Sequence, residues 1–262
     1  MNYLVVTAAA LLAAVISLFS GFGLGTILMP VLALFFPVEA AIAATAAVHL
    51  ANNLFKGMLF GKFARFPVVI RFAVPAGLLA IVGAWALQTL AGSPPLLEYR
   101  IAGLLFAPTP IGLLVGAVIL TFALFELLPG LDRLTFDPRF LSIGGALSGF
   151  FGGLSGHQGA VRTAFLSRAG LGKEAFIGTM ILCAIVVDVV RLLVYGAHGF
   201  GGKGFFSGRF TDSGLIPAAV FAAFLGSWIG TRLVRKVTLG GLHRLIGILL
   251  ILFALALASG WI

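Results

Sequence analysis

The stretch that decides the fold is Ser148-Gly149-Phe150-Phe151-Gly152-Gly153-Leu154-Ser155-Gly156-His157-Gln158-Gly159-Ala160-Val161-Arg162-Thr163. It is a glycine-rich, polar segment inside a chain that is otherwise almost continuously apolar. Glycine in a helix interior costs about 1 kcal/mol relative to alanine, and an unpaired backbone group in hydrocarbon costs several kcal/mol. We therefore expect this segment to break a helix and to lie against protein or a hydrated cavity, as in transporter binding sites.

The composition of the chain indicates an integral membrane protein. Of the 262 residues, 61% are hydrophobic and 10% are charged, and the mean hydropathy is +1.17. Soluble domains carry about 25% charged residues. Apolar runs of about 20 residues, the length of a membrane-spanning helix, recur from end to end. We predict an all-α integral membrane protein without a soluble domain.

The chain is also basic, with a formal net charge of +9. Its basic residues lie mainly in short loops between apolar runs, so anchoring in the lipid bilayer explains them better than nucleic-acid binding. The start Asn2-Tyr3 lacks the basic region of a signal peptide, and we expect Met1 to Ser20 to be retained as a span. The single Cys183 excludes internal disulfide bonds, and no close grouping of metal-ligating residues occurs. We expect no metal and no cofactor.

Helix-breaking residues divide the chain into two predicted repeats. For repeat 1, residues 1–128, we predict a hairpin of two half-helices at about 3–36 and spans at about 38–61, 72–90 and 100–128. A hydrophilic linker follows at 129–139. For repeat 2, residues 140–262, we predict a hairpin at about 140–167 and spans at about 173–196, 213–233 and 242–261.

Self-comparison of the chain supports a duplication. At an offset of 135, the residues Glu39, Asn53, Lys56, Phe60 and Gly61 match Glu174, Asp188, Arg191, Tyr195 and Gly196. We also match Gly83-Ala84-Trp85 with Gly226-Ser227-Trp228 at an offset of 143, and Ser20-Gly21-Phe22 with Ser148-Gly149-Phe150 at an offset of 128. Because the matches occur in the same order in both halves, a duplication explains them better than chance.

The lysines and arginines near span ends predict how the repeats are oriented. If 140–167 crosses the membrane once, these 14 residues divide seven and seven between the two faces. If it doubles back, eleven share one face, namely Lys62, Arg65, Arg71, Arg133, Arg139, Arg168, Lys173, Arg232, Arg235, Lys236 and Arg244, and three, Arg100, Lys203 and Arg209, share the other. Cytoplasmic loops carry an excess of basic residues. We therefore predict a re-entrant hairpin, inverted repeats, cytoplasmic basic loops and both termini outside.

Two predicted half-helix N-termini form the candidate binding site. They begin at about Gly25-Thr26 and Gly159-Ala160, and free N–H groups with the positive end of the helix dipole attract anions. The predicted substrate-binding residues are Gly23, Gly25, Thr26, Asn53, Lys56, Ser155, Gly156, His157, Gln158, Gly159, Arg162 and Arg191. The alternative is that the glycines only let helices pack closely.

Three cations within the predicted spans need separate interpretations. Arg162 lies on the first turn of the second half-helix, where its guanidinium matches a sulfonate or carboxylate; its alternative role is an anchor at the lipid headgroups. Lys56 and Arg191 are repeat equivalents, and charges inside spans mark pathways or paired networks. Asp188 shares a helix face with Arg191 and could simply neutralise it. Lys56 has no acidic residue on its own face.

Titratable residues within the spans suggest a weaker hypothesis of proton coupling. The candidates are His49, His157 and Asp188, although a membrane histidine such as His49 often only fills a packing role. Glu39 and Glu174 fall in the first turns of their spans, where a carboxylate is favourable with the helix dipole. The segment around Ser155 is not a nucleophile elbow, which follows a strand. We therefore expect no enzymatic activity.

The sequence resembles the TauE/SafE family of sulfite and organosulfur exporters over essentially its whole length. The residues that carry the resemblance are Gly145-Ala146-Leu147 continuing through the opening stretch to Ala164-Phe165-Leu166, then Gly172-Lys173-Glu174-Ala175-Phe176 and Asp188-Val189-Val190-Arg191-Leu192-Leu193-Val194-Tyr195-Gly196. The resemblance implies movement of sulfite, sulfonates or related small anions across the cell membrane. Family members often have a denser glycine run in the first hairpin than Gly23-Leu24-Gly25-Thr26-Ile27, so the part of that hairpin in binding stays open.

From these observations we expect a secondary transporter, an exporter that binds its anion at the membrane midplane and works by alternating access. An anion channel or a carrier of another small organic anion is the alternative, and a membrane scaffold is a third. The expected partners are a small anion and the bilayer, with no nucleic acid and no indication of a homo-oligomer.

Overall fold

The computed structural model of the protein describes residues 2–20, 24–128, 134–198, 214–233 and 240–262. This part of the chain forms ten α-helices, namely α1 Asn2–Ser20, α2 Leu24–Ala33, α3 Val38–Phe60, α4 Phe66–Leu90, α5 Pro110–Leu127, α6 Leu141–Ser155, α7 Gly159–Leu166, α8 Lys173–His198, α9 Leu215–Leu233 and α10 Gly240–Ser259. Two strands, β1 Tyr99–Ile101 and β2 Leu104–Phe106, and two short 3-10 turns, Gly61–Phe63 and Pro138–Phe140, join them.

The helical composition confirms the predicted class, an α-helical membrane protein. Among the described residues, three helical segments are long and apolar enough to span a membrane: Phe66–Leu90, Lys173–Ala197 and Leu215–Arg232. Four shorter apolar helical segments accompany them, at Tyr3–Ser17, Leu24–Ala33, Pro110–Phe125 and Arg244–Ser259. Several predicted features lie outside the described residues: Gly23, Arg133, Lys203, Arg209, Arg235, Lys236, the linker residues 129–133 and the first residue of the span predicted at 213–233.

The predicted span at 100–128 is wrong in its first third. Residues 99–106 form an antiparallel β-hairpin in which Tyr99 pairs with Phe106, and helix α5 begins only at Pro110. Ala102 and Gly103 both have positive φ angles, 51° and 82°, as a two-residue hairpin turn requires. The composition of this segment is as apolar as that of a helix, so hydropathy does not distinguish the two structures.

The start of α5 is fixed locally. Thr109 caps the helix because its side chain accepts a hydrogen bond from Gly112 N at 3.1 Å. Pro110 occupies the first turn, where its missing N–H costs nothing. Helix α4 likewise starts before the predicted residue 72, at Phe66, with Pro67 in its first turn and Pro75 inside.

Helices α6 and α7 pack against each other in opposite directions. Ser148 Oγ donates to the carbonyl of Gln158 (3.1 Å), and an added Cβ on Gly144 would collide with the ring of Phe165. With 15 and 8 residues, the two helices are about 22 Å and 12 Å long, and neither covers the roughly 30 Å of a bilayer core.

Glycines bring α6 into backbone contact with α4. An added Cβ on Gly145, Gly149 or Gly153 would collide with the backbone of Phe72, Ala76 or Ala80, respectively, and each glycine lies four residues after the last. The two helices therefore run parallel at very short distance. For these three glycines, close helix packing is the role that the structure reveals.

The other large helix contacts also have defined directions. Helices α3 and α8 are antiparallel, since Asn53 contacts Asp188 whereas the backbone N–H of Arg65, just after α3, bonds Thr179 (3.1 Å). Helices α5 and α10 are antiparallel as well, with Gly112 against Leu257, Gly116 against Ala254 and Gly247 against Leu127. Helices α1 and α9 are parallel, with Tyr3 near Gly214 and Leu11 against Gly226.

Several basic residues lie together at one end of the helix bundle. The Arg71 guanidinium donates to the carbonyl of Arg139 (3.1 Å), and the Ser142 hydroxyl donates to the carbonyl of Arg71 (3.3 Å). Arg65 lies against the first turns of α8 through its bond to Thr179. Arg100, on β1, lies at the other end of α4, close to where Tyr99 Oη donates to the carbonyl of Ser259 (3.2 Å).

Candidate functional site

Asp188 is the centre of a buried polar network. Its carboxylate is fully buried in α8 and accepts hydrogen bonds at both oxygens. Oδ1 accepts from Arg191 Nη2 (2.7 Å) and Gln158 Nε2 (3.0 Å), and Oδ2 accepts from His49 Nδ1 (2.6 Å) and Asn53 Nδ2 (3.1 Å). The network therefore joins α3, the tip of the α6–α7 hairpin and α8.

Gln158 connects this network to Arg162. The Gln158 amide donates to Asp188 with its nitrogen and accepts from Arg162 Nη1 (2.9 Å) with its oxygen. Arg162 lies on the first turn of α7 and is only 5% exposed, and its Nε has no hydrogen-bond partner among the described residues. The guanidinium thus retains donors, at the helix end where free backbone N–H groups also attract anions.

The tip of the α6–α7 hairpin contains a residue with a left-handed backbone conformation. Gly156, with φ 83°, ends α6 in the conformation that favours glycine. His157 follows it, with Nδ1 3.1 Å from the carbonyl oxygen of Ser155 and 3.3 Å from Ser155 Oγ. The ring is buried against Phe122, and its Nε2 is unpartnered within the described part of the chain.

The start of α2 lies against the tip of the α6–α7 hairpin. An added Cβ on Gly25, at the start of α2, would lie 3.4 Å from the Gly156 carbonyl oxygen and 3.5 Å from Thr45 Cγ2. Thr26 is buried next to it, and the buried Thr45 Oγ1 has no described partner. The N-terminus of α2 therefore lies beside the tip that precedes α7, as a site shared by two half-helices requires.

Lys56 belongs to a second polar group on α3. Lys56 is only 5% exposed, and its Nζ donates to Ser17 Oγ of α1 (2.7 Å). When the Asn52 amide is oriented with its nitrogen toward Ser227 Oγ (2.7 Å), its oxygen accepts a second hydrogen bond from Lys56 Nζ (3.2 Å). No carboxylate in the described ranges lies within ion-pair distance of Lys56.

Arg191 has a different role from Lys56. It pairs with Asp188 and also donates from Nη1 to the carbonyl of Gly152 (3.1 Å), while Tyr195 Oη donates to the carbonyl of Gly153. Both terminal nitrogens of Arg191 are used by protein acceptors. The alternative in which Asp188 neutralises Arg191 is therefore the one that the structure shows.

Among the described buried side chains of this site, positive charges outnumber negative charges. Lys56, Arg162 and Arg191 are buried cations, whereas Asp188 is the one buried carboxylate among the acidic residues whose side chains are described. Asp188 pairs with Arg191 (2.7 Å), whereas neither Arg162 nor Lys56 lies within ion-pair distance of a carboxylate among the described side chains. Since buried charge is stable only when it is paired, an excess of positive charge here favours an anionic ligand.

Some acidic residues noted in the sequence lie outside the polar network, and some residues inside it were not predicted. Glu39 and Glu174 lie in the first turns of α3 and α8 and outside the network. Ser17, Thr45 and Ser227 were missed. Ser227 stands in the matched segment Gly226-Ser227-Trp228, whereas a single serine or threonine in an apolar helix gives no comparable indication.

Comparison with known families assigns the chain to a family. The family model described as sulfite exporter TauE/SafE matches residues 6–257 of the chain. The chain belongs to the TauE/SafE family. A comparison with curated proteins found no significant match. The TauE/SafE match covers the whole α6–α7 hairpin and every described residue of the Asp188 network, and membership identifies the protein as a membrane transporter of the sulfite exporter family rather than an enzyme.

Proposed function

We propose that this TauE/SafE protein is a secondary transporter that exports sulfite or a small organosulfonate by alternating access. The substrate would bind between the N-termini of α2 and α7, with Arg162 as its main ligand and Lys56 nearby. The observation that carries the proposal is the excess of buried positive charge near the point where the start of α2 meets the tip of the α6–α7 hairpin. An anion would compensate this charge and accept a hydrogen bond from the unpartnered Nε of Arg162.

We infer that the two halves are inverted repeats. Helices α3 and α8 begin at Val38 and Lys173, and α2 and α7 begin at Leu24 and Gly159, each 135 residues apart (173 − 38 and 159 − 24). The same offset aligns Ser20 with Ser155, the last residues of α1 and α6, in place of the offset of 128 proposed from sequence.

Helix directions support the inversion. The helices that correspond to each other, α3 with α8 and α5 with α10, pack antiparallel, as equivalent elements of inverted repeats must. The repeat relates α4 to α9 and α6 to α1, so the pair α4–α6 corresponds to the pair α9–α1. In both pairs the two helices pack parallel. Alternating access would then come from movement of one repeat against the other.

We further infer that each hairpin enters and leaves the membrane on one side. The short lengths of α6 and α7 and their antiparallel packing support this for the second hairpin. The basic end of the bundle would face the cytoplasm of a cell membrane, by the positive-inside rule, with both termini outside. Of the proton-coupling candidates, His49 is favoured by its direct contact with Asp188, which Gln158 links to Arg162.

Sulfite flux in proteoliposomes tests the proposed site. Arg162→Gln removes a charge-assisted contact worth about 1.5–3 kcal/mol, so we expect sulfite transport to fall by about tenfold or more. The matched control is Arg139→Gln, since Arg139 is an exposed cation whose loss should leave flux unchanged. Equal flux for both variants would place the site elsewhere.

The same preparation distinguishes a carrier from a channel. A carrier exchanges substrates across the membrane, so external sulfite should accelerate the release of labelled sulfite from preloaded liposomes. Non-saturable flux without such exchange would indicate an anion channel, and transport of formate but not of sulfite or sulfonates would indicate another class of organic anion.

A further inference from the structure

We propose that Trp228 and Arg232, near the end of α9, form a binding site for the headgroup of an anionic phospholipid in the cytoplasmic leaflet of the membrane. The site is separate from the buried polar network, and it does not depend on which anion the protein transports. Only the name of the leaflet rests on the orientation inferred above. The inference comes from a difference between the two halves of the chain.

Trp228 and Arg232 lie one turn apart on the outer surface of α9. The central carbon of the Arg232 guanidinium lies 3.9 Å from the centroid of the Trp228 ring, which is a cation–π contact. Trp228 is 45% exposed, and Arg232 is exposed as well. Within the described ranges, no carboxylate lies within ion-pair distance of Arg232. The ring therefore positions a cation whose charge the described part of the protein does not balance.

This pair lies at the level where the lipid headgroups begin. Arg232 is the last residue of the segment Leu215–Arg232, which is long and apolar enough to span a membrane. Helix α10, about 30 Å long, ends at Ser259 beside Tyr99, at the end of the bundle opposite the basic residues. Helix α10 therefore begins at the basic end, and α9 ends there too, since only residues 234–239 separate the two helices. The positive-inside rule assigns this end to the cytoplasm.

The matching position of the first repeat has the tryptophan but not the cation. Trp85 is 59% exposed and lies five residues before the end of α4, as Trp228 does in α9 (90 − 85 and 233 − 228). The offset of 143 that relates the two tryptophans relates Arg232 to Thr89 (232 − 143), whose Oγ1 donates to the carbonyl of Ala86 (2.9 Å). Since α4 begins at the basic end, Trp85 lies near the opposite face of the membrane. Equivalent tryptophans thus lie at both interfaces, and only the one on the cytoplasmic side has an arginine.

This difference between the repeats matches a difference between the two leaflets. Tryptophan is enriched at both membrane interfaces, whereas anionic lipids attract basic residues at the cytoplasmic one. A lipid phosphate accepts charge-assisted hydrogen bonds from a guanidinium, and the indole N–H of Trp228 can donate a further bond to the headgroup. An anionic phospholipid therefore balances the charge of Arg232, which the zwitterionic headgroup of phosphatidylcholine does less well.

Brominated lipids, which quench tryptophan fluorescence on contact, test this site. Full-length variants that keep only Trp228 (Trp85→Phe with Trp261→Phe) or only Trp85 (Trp228→Phe with Trp261→Phe) are placed in nanodiscs of phosphatidylcholine and phosphatidylglycerol. In each sample one of the two lipids is brominated near the headgroup. We expect phosphatidylglycerol to be preferred about fivefold at Trp228 and less than twofold at Trp85. Equal quenching of Trp228 by the two lipids would overturn the inference.

Substitutions at the two equivalent positions sharpen this test. Arg232→Gln should remove the preference at Trp228, and Thr89→Arg should create one at Trp85, because it gives the first repeat the same pair. Arg139→Gln, which changes another exposed cation, should keep the preference at Trp228. A preference that survives Arg232→Gln, or that Thr89→Arg does not create, would overturn the assignment to the tryptophan–arginine pair. If the preference is found but neither sulfite nor a sulfonate is transported, the proposed function fails and the lipid site stands.

Discussion

Asp188 holds three structural elements together with one carboxylate. It accepts from His49 and Asn53 on α3, from Gln158 at the hairpin tip and from Arg191 on its own helix. Removing one partner of a buried ion pair leaves an uncompensated charge, which typically costs about 3–5 kcal/mol. We therefore expect Asp188→Asn to lower the melting temperature of the detergent-purified protein markedly.

The matched control for that substitution is Asp137→Asn. Asp137 also pairs with an arginine, Arg139, but at 3.8 Å and with both side chains more than half exposed, so its contribution should be below about 1 kcal/mol. The double variant Asp188→Asn with Arg191→Gln should recover part of the lost stability, because it removes the stranded cation as well. If Asp188→Asn has the same melting temperature as Asp137→Asn and the wild type, Asp188 does not organise the network.

The contact between α4 and α6 depends on the absence of side chains. A Cβ on Gly149 would lie 2.6 Å from Ala76 Cα, and backbone atoms of a helix cannot move aside individually. Gly149→Ala should therefore force α4 and α6 apart and destabilise the fold by about 1–3 kcal/mol or more. Gly172→Ala is the control, since nothing lies within 4 Å of its added Cβ. Thermal unfolding of both variants in the same detergent measures the difference, and similar melting curves would show that the packing is looser than described.

The arrangement of the whole chain in the membrane can be tested by labelling single cysteines in a Cys183→Ala background. Ser142 and Ser167 are exposed near the start of α6 and the end of α7, whereas Ser93 follows α4. A re-entrant hairpin puts both of its ends on the cytoplasmic side, so cysteines at 142 and 167 should react with an impermeant maleimide only in inside-out vesicles. A cysteine at 93 should react in right-side-out vesicles.

Labelling of positions 142 and 167 from opposite sides would mean that this segment crosses the membrane once. The basic loops would then divide evenly between the two faces, and the inversion of the repeats would lose its support from charge. Labelling of all three positions from one side would contradict the assignment of α4 as a complete span.

Part of the site could be predicted because lipid constrains individual residues. A lysine or arginine inside an apolar span, and a glycine-rich polar break in a helix, need partners wherever they lie, so Lys56, Arg162, Gln158 and Asp188 stand out in the sequence alone. The roles of Arg191 and of the glycines could not be predicted. The role of Arg191 depends on its contacts with Asp188 and Gly152. Gly149 is set apart by the nearness of Ala76, and Gly156 by its left-handed backbone.

The sequence by itself determined that the chain is an α-helical membrane protein, where its main helix break lies and which family it belongs to. These properties follow from hydropathy, glycine content and a long continuous match, which are local or additive along the chain. Only the tertiary structure decided that residues 99–106 pair as strands, that Ser17 binds Lys56 and that the start of α2 meets the tip of the α6–α7 hairpin. Such contacts depend on how helices distant in sequence rotate and pack, because a hydrogen bond requires a donor and an acceptor to come within about 3 Å of each other.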